Sequence, residues 1–538
     1  SQSNNTVTLN DQLSPSVVIT AVNASGSAVS TGATTNDQTL TLTFTSSEAT
    51  SNFISSDITA TGGAISSFAS SSSSVYTATF TPAADGLTSV NVAAGAFTDA
   101  SSNSNTAAAE FSWTFNGTPA SISSVALASD NATIAVTMNK AVYSTGGGSG
   151  ALETTDFSMA IAGGSASLSS ATPSSISASG NVYTLGIGVT GTPDGSEVIT
   201  VNPVSGSIYD AYGNISTNSQ SNNTATLNDQ LAPTVTITAV SSGGDAVSSG
   251  STTNDASIIL TLTASESTTN LASADVTVSG GSLSSFSGSG ASYNVTFTPS
   301  ASGATTVDVA SGTFTDAAGN NNTAATQFAW TYDGTAPIIS SVSLAADNAN
   351  IAVTMSESVF NTANGSGALE AADFALSISG GSATLSSSTP SSISSSGNIY
   401  TLGIGITGTP DGSEVLTVAP VATSIYDAYG NASSTSQSNN TATLNDQLSP
   451  SVTITVANSG GSSVSSGSTT NDATLSLTFT SSENTTTLAA GDVSVTGGSI
   501  SSFSGSDATY TATFTPSSDG AVTIDLGANK FTDAAGNA

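Results

Sequence analysis

Residues 39–46 read T-L-T-L-T-F-T-S, and the order of apolar and polar side chains in this stretch decides the fold. Leu40, Leu42 and Phe44 alternate with Thr39, Thr41 and Thr43. A period of two sends successive side chains to opposite faces, so the stretch reads as a half-buried β-strand with threonine facing water. Tyr76, Ala78 and Phe80 repeat the pattern. It returns at Ile258, Leu260 and Leu262, at Tyr293, Val295 and Phe297, at Leu475, Leu477 and Phe479, and at Tyr510, Ala512 and Phe514. Clusters of Gly, Ser, Asn and Pro separate these runs, as turns require, and no stretch carries a convincing helical period. The expectation is an all-β chain.

The returns are regular. SQSNNTVTLNDQL begins at Ser1 and recurs, with one Val→Ala change, at Ser219 and Ser436. Each long unit divides into two related halves, and each half has the length of one immunoglobulin-like sandwich. The expected fold class is therefore a linear tandem array of seven-stranded immunoglobulin-like β-sandwiches of two alternating types. Type A is placed at 14–117, 232–335 and 449–538, type B at 118–231 and 336–448, and residues 1–13 are read as the trailing strand and linker of a preceding repeat. The last strand of type A reads FSWTF at Phe111–Phe115 and FAWTY at Phe328–Tyr332, and the third copy is expected to lack it.

Composition excludes most chemistry. The chain has 36 Asp and Glu against 2 Lys and Arg, a net charge of −34, and neither His nor Cys. A phosphate-tracking surface needs clustered basic groups, and Lys140 and Lys530 stand alone, so no nucleic-acid partner is expected. Imidazole bases, Cys/His zinc sites and disulfides are impossible. No run approaches the roughly 20 apolar residues of a membrane helix, so no membrane insertion is expected from this segment. Carboxylate pairs can run glycoside hydrolysis or aspartic proteolysis, but no Asp-Ser-Gly or Asp-Thr-Gly string exists and an active site is rarely copied into every repeat. The chain is read as no enzyme. The N-x-S/T sequons at Asn131, Asn214, Asn364 and Asn431 are weak signals in so Ser- and Thr-rich a sequence.

Charge is scarce, and its placement is informative. Strands in a sandwich alternate direction, so loops after even-numbered strands return to the end where the chain came in. In type A that end collects Glu48, Asp57 and Asp99 beside Asp11, then Glu266, Asp275 and Asp316 beside Asp229, then Glu483, Asp492 and Asp533 beside Asp446. In type B it collects Glu153, Asp156 and Asp210 near Asn116, and Glu357, Glu370, Asp373 and Asp427 near Asp333. Odd-numbered loops point to the other end and carry Asp37, Asp85, Asp255, Asp472 and Asp519 in type A, with Asp194, Glu197, Asp411 and Glu414 among those in type B. Carboxylates gathered without basic partners repel one another, and oxygen ligands of this kind are what Ca2+ takes, six to eight at a time. Ca2+ at the domain junctions is the expected cofactor. Its expected ligands are Asp11, Glu48, Asp57 and Asp99; Asp229, Glu266, Asp275 and Asp316; Asp446, Glu483, Asp492 and Asp533; Asp333, Glu357, Glu370, Asp373 and Asp427; with Asp210, and Asp255 from the facing end. The loops DASSN (99–103), DAAGN (316–320, 533–537) and DAYGN (210–214, 427–431) recur at this end. Asp can ligate, Gly permits a positive-φ turn, and Asn can fix that turn or offer its carbonyl. Lys140 stands where the second type B copy has Glu357, and Asn116 where it has Asp333, so a salt bridge to Glu153, Asp156 or Asp210 is expected there in place of a metal.

At these residues the chain resembles the bacterial immunoglobulin-like repeats of very large cell-surface and biofilm-associated adhesins. The features that carry the resemblance are TND followed by LTLTF, the Ser-Glu turns at Ser47-Glu48, Ser265-Glu266 and Ser482-Glu483, the D-x-x-G-N loop, and the linker YDGTAP at Tyr332–Pro337. Type B, with VTMSESV (Val353–Val359), GALEAADF (Gly367–Phe374) and GTPDGSEVLTV (Gly408–Val418), is similar to a sister repeat of such arrays. The resemblance implies interdomain calcium at Asp99, Asp210, Asp316, Asp427 and Asp533. It also implies an extracellular, non-enzymatic stalk or fibre in adhesion whose partners are the neighbouring repeats of its own chain. A self-assembling filament, sheath or surface layer with lateral self-association is the alternative, and a glycan-binding module the third choice. The external ligand stays unknown.

Overall fold

The computed structural model describes residues 7–538; residues 1–6, half of the expected trailing strand, lie outside it. Residues 7–16 carry no strand, and Val7 and Leu9 stand exposed. Contacts divide the chain into two units, one of residues 1–233 with 314–322, the other of residues 234–313 with 323–538.

In the first unit, type A opens with β1 (Val17–Asn23), β2 (Ala28–Val29), β3 (Thr34–Thr35) and β4 (Leu40–Ser46). It continues with β5 (Ile58–Thr61), β6 (Gly63–Ser70), β7 (Val75–Pro82), β8 (Gly86–Val92) and β9 (Phe111–Phe115). They form one sheet in the order β2-β1-β4-β7-β6 and a second in the order β3-β9-β8-β5. The domain thus has nine strands rather than the expected seven, because two strands of only two residues pair at the sheet edges. The threonine alternation does what its period dictates. Leu40, Leu42 and Phe44 are fully buried, and antiparallel pairing sets them opposite Phe80, Ala78 and Tyr76. Trp113 from the facing sheet meets Phe80 edge-on at a centroid distance of 4.6 Å, closing the core between the layers.

The type B domain of the same unit is also all-β. A sheet of Ile122–Leu127, Thr133–Met138, Val182–Gly186 and Ile176–Ser179 packs with a three-stranded sheet of Phe157–Ala162, Val198–Pro203 and Thr224–Thr226. Ile134, Val136, Leu185, Ile199, Val201 and Ile208 are fully enclosed in its core.

The second unit repeats both types. Its first type A copy pairs Leu260 with Val295 and Ile258 with Phe297, and Trp330 meets Phe297 edge-on at 4.6 Å. Its type B copy keeps the same sheet orders around Ile351, Val353, Leu402, Leu416 and Val418. The last type A copy builds its first sheet from Val452–Ala457, Leu475–Ser481, Thr509–Pro516 and Gly498–Ser506, while its second sheet has two strands among the described residues, Val493–Thr496 and Thr523–Leu526. Five single-turn 3-10 segments, at 55–57, 154–156, 273–275, 371–373 and 490–492, are the only helical turns among the described residues.

Candidate metal centre

The D-x-x-G-N loops fold around their own aspartate. In the first copy, Asp99 Oδ1 accepts from the main-chain N–H groups of Ser101 and Asn103, each at 2.8 Å, and Oδ2 accepts from Asn103 Nδ2 at 2.8 Å. The two asparagine bonds recur around Asp210, Asp316, Asp427 and Asp533. The asparagine fixes the turn through its amide rather than by offering its carbonyl. That amide also reaches the linker, donating to the carbonyl of Asp11, Asn116, Asp229, Asp333 or Asp446. In type B the glycine is sterically required: a Cβ on Gly430, at φ +93°, would lie 2.6 Å from the Ala363 carbonyl. In type A the space beside Gly319 and Gly536 is open, which explains how Ser102 takes that place at φ +74°.

A linker residue held this way carries its carboxylate into the loop. Asp11, Glu48 and Asp99 bring oxygen atoms within 4.8 Å of one another, and so do Asp333, Glu357 and Asp427, and Asp446, Glu483 and Asp533. In the second type A domain, Asp229 and Asp316 meet through Asn320 in the first unit, whereas Glu266 belongs to the second unit. Lys and Arg are absent from all these sets. The cost falls on the glutamates. Burial, then the Asp11 and Asp99 carboxylates, raise Glu48 above the ordinary range. Burial with Asp427 and Asp333 raises Glu357. Burial with Asp446, Asp533 and Asp411 raises Glu483. For Asp99 and Asp533 burial acts upward too, but the hydrogen bonds of the loop outweigh it and hold both below the usual carboxylate range.

The oxygens Glu48 Oε1 and Glu483 Oε1 are buried without a hydrogen-bond donor. An anionic oxygen so placed lacks the water or N–H that normally offsets its desolvation. The fit to a hard divalent cation is good: three carboxylates converge, one oxygen of the glutamate has no other partner, and no ammonium competes.

The other expected ligands lie outside these triads. Asp57, Asp275, Asp373 and Asp492 each turn Oδ2 back onto the N–H three residues earlier, at 2.8, 2.8, 2.7 and 2.8 Å, closing the 3-10 turns. Asp156 does the same at 2.7 Å. Glu370 supplies the N–H that Asp373 caps, and Asp255, which is not a member of any triad, has its N–H donating to Thr253 Oγ1 at 3.4 Å. Two further carboxylates, placed by strand parity at the other end of type B and not among the expected ligands, are fully buried. Glu197 accepts from the N–H groups of Ser165, Ala166 and Asp194, and Glu414 from those of Ser382, Ala383 and Asp411. The signal was the paired glycine upstream, since a Cβ on Gly164 would lie 2.1 Å from Glu197 Oε1. The sequon asparagines Asn131 and Asn214 are buried, bonded to Asn228 and to Asp210 respectively.

Residues 11–116, 229–332 and 446–538 match the family described as bacterial Ig-like domain. The chain belongs to that family. No curated protein matches it in sequence. Among solved structures it is similar to invasin, described as a bacterial integrin-binding protein, at 12% identity over 83% of this chain and 82% of that one, with a TM-score of 0.27. That score is too low for the likeness to bear on function.

Within each unit the Ig-like domains share their linkers closely. The N–H of Asn116 donates to Thr35 of the preceding type A domain at 3.0 Å, while its carbonyl accepts from Asn214 of the following type B domain at 2.8 Å. Asp333 repeats this with Thr253 at 2.9 Å and Asn431 at 2.9 Å. At the last junction, Asp446 lies over Gly412 of the type B loop 410–414, and Gln447 donates to Pro410 at 2.9 Å. One linker residue is thus gripped from both sides. At the first A-to-B junction the cation is a side chain: Lys140 Nζ lies 2.7 Å from the Thr118 carbonyl, 3.4 Å from Asn116 Oδ1 and 3.4 Å from Asp210 Oδ2.

Proposed function

We propose that the chain is a non-enzymatic structural segment of a large, repetitive, extracellular bacterial surface protein, and that Ca2+ bound at its junctions stiffens it as a stalk or fibre in adhesion. The observation that carries this reading is the pair of buried, donorless oxygens Glu48 Oε1 and Glu483 Oε1, each within a carboxylate triad. Asp11, Glu48 and Asp99 would hold one ion; Asp333, Glu357 and Asp427 another; Asp446, Glu483 and Asp533 a third. Bound Ca2+ supplies charge neutralisation and a multidentate tie between linker and loop. The residues of the chain do the rest. The loop asparagine presents the linker, the loop hydrogen bonds favour the ionised form of Asp99 and Asp533, and the Ser-Glu turn delivers the third carboxylate. Because linker and loop are ligands together, a pivot of the linker would break coordination. The chain's neighbouring repeats are its partners in this role.

Imaging single chains with Ca2+ and then with chelator tests the reading. Straight chains in Ca2+ that bend at their junctions after chelation are expected. Chains equally straight in chelator would overturn it, and ordered fibres from this segment alone would favour lateral assembly instead.

A further inference from the structure

The repeats provide an internal comparison between two A-to-B junctions. One is framed by Ser302, Asp333, Glu357 and Asp427, and the other, at the same places, by Asp85, Asn116, Lys140 and Asp210. Three of the four positions differ, and the differences compensate one another. Two carboxylates are gone from the linker and the type B strand end, an ammonium has arrived, and a new carboxylate has appeared on the preceding domain.

We propose that the Lys140 ammonium is the permanent cation of the first junction, which is therefore held without Ca2+, while the junction at Asp333 requires the ion; the second half rests on the function proposed above. The contacts support a locked joint. Lys140 Nζ has three acceptors, the Thr118 carbonyl, Asn116 Oδ1 and Asp210 Oδ2, which matches the three N–H donors of an ammonium. Asp210 is almost wholly buried, with 1% of its side chain exposed against 30% for Lys140, so salt screens the pair less than it would a pair exposed on both sides. From the other side, Asp85 accepts from the N–H groups of Gly117 and Thr118 at 2.7 and 3.2 Å. Lys140 also lies close enough to help hold Asp85 below the ordinary range, after the Thr118 and Gly117 hydrogen bonds that outweigh its burial. The ammonium therefore attracts a carboxylate on each of the two domains. A tethered charge cannot be removed by dilution or by a chelator. A fall in Ca2+ would loosen the joint at Asp333 and leave the joint at Asn116 set.

The chain has no cysteine, so paired labels can be placed at will. In the full chain, Ser70→Cys with Ser179→Cys spans the first joint, and Ser287→Cys with Ser396→Cys spans the second, all at exposed positions. Spin-label distance distributions are then read in Ca2+ and in chelator. The first pair is expected to stay narrow in both, and the second to be narrow in Ca2+ and broad in chelator. Lys140→Met should broaden the first pair in both conditions. The double variant Asn116→Asp/Lys140→Glu should make the first joint respond to Ca2+ and bind one further equivalent of the ion, which keeps the test open if Lys140→Met does not fold. A first pair that broadens on chelation, or that ignores Lys140→Met, overturns the assignment. A second pair indifferent to Ca2+, with the first still broadened by Lys140→Met, supports the lysine lock and overturns the calcium reading.

Discussion

The side-chain amide of Asn431 donates to the main-chain carbonyl of Asp333, 98 residues earlier, at 2.9 Å. The same amide holds Asp427 Oδ2 at 2.7 Å, so one asparagine fixes the loop and the linker together. The Asn431→Ala variant is expected to lose about 2 kcal/mol, the scale of hydrogen bonds to a charged group with their acceptors left behind. Denaturant unfolding of the chain checks this. A loss confined to a few tenths would mean that water replaces the amide at no cost.

Ser102 occupies the left-handed region at φ +74°, where its counterparts are glycine at +95° and +97°. No atom beside those glycines blocks a side chain, so the penalty is conformational alone. Ser102→Gly should stabilise the first type A domain by about 1 kcal/mol. The midpoint of its thermal transition reads the effect, and an unchanged or lower midpoint would contradict it.

The pH dependence without Ca2+ follows from two opposed sets of groups. Glu48, Glu357 and Glu483 have folded-state pKa values raised above their ordinary value, so the stability linked to them is fully present below that value and lost as pH rises through the folded pKa. Asp99, Asp210 and Asp533 are depressed, so their contribution is present above the ordinary aspartate value and lost as pH falls through the folded pKa. Chelated protein should therefore be most stable at mildly acidic pH, and Ca2+ should move that optimum towards neutrality. Melting curves across pH in both conditions provide the check, and an optimum unmoved by Ca2+ would contradict it.

Removing a ligand should have opposite effects with and without the ion. Glu483→Gln takes one charge from a set in which Asp446, Asp533 and Asp411 all oppose it. The variant should melt higher than the parent in chelator and lower than the parent in saturating Ca2+. Equal shifts of one sign in both conditions would place Glu483 outside any cation site.

Much of this architecture was legible from periodicity, because threonine alternation at Leu40, Leu42 and Phe44 admits one buried face and one pairing geometry. Strand parity was enough to bring Glu48 and Asp99 to Asp11, and Glu357 and Asp427 to Asp333. It could not separate Asp57, Asp275, Asp373 and Asp492 from them. Those residues return to the same end of the domain, but one oxygen of each accepts from the N–H three residues earlier, and which amide a carboxylate faces depends on local φ and ψ rather than on position along a strand. The two-residue strands β2 and β3 were too short to show a period. The clamp formed by Asn431 was hidden for another reason: its partner is a main-chain carbonyl, which leaves no mark in the side-chain sequence.

Calorimetric titration of chelator-treated chain with Ca2+, compared with the Glu48→Gln/Glu357→Gln/Glu483→Gln triple variant, tests the central claim most directly. The parent should show saturable binding at the junction triads, and the triple variant should lose most of it. Binding that is absent from the parent, or that persists undiminished in the variant, would contradict the claim that these carboxylates meet in order to share a cation.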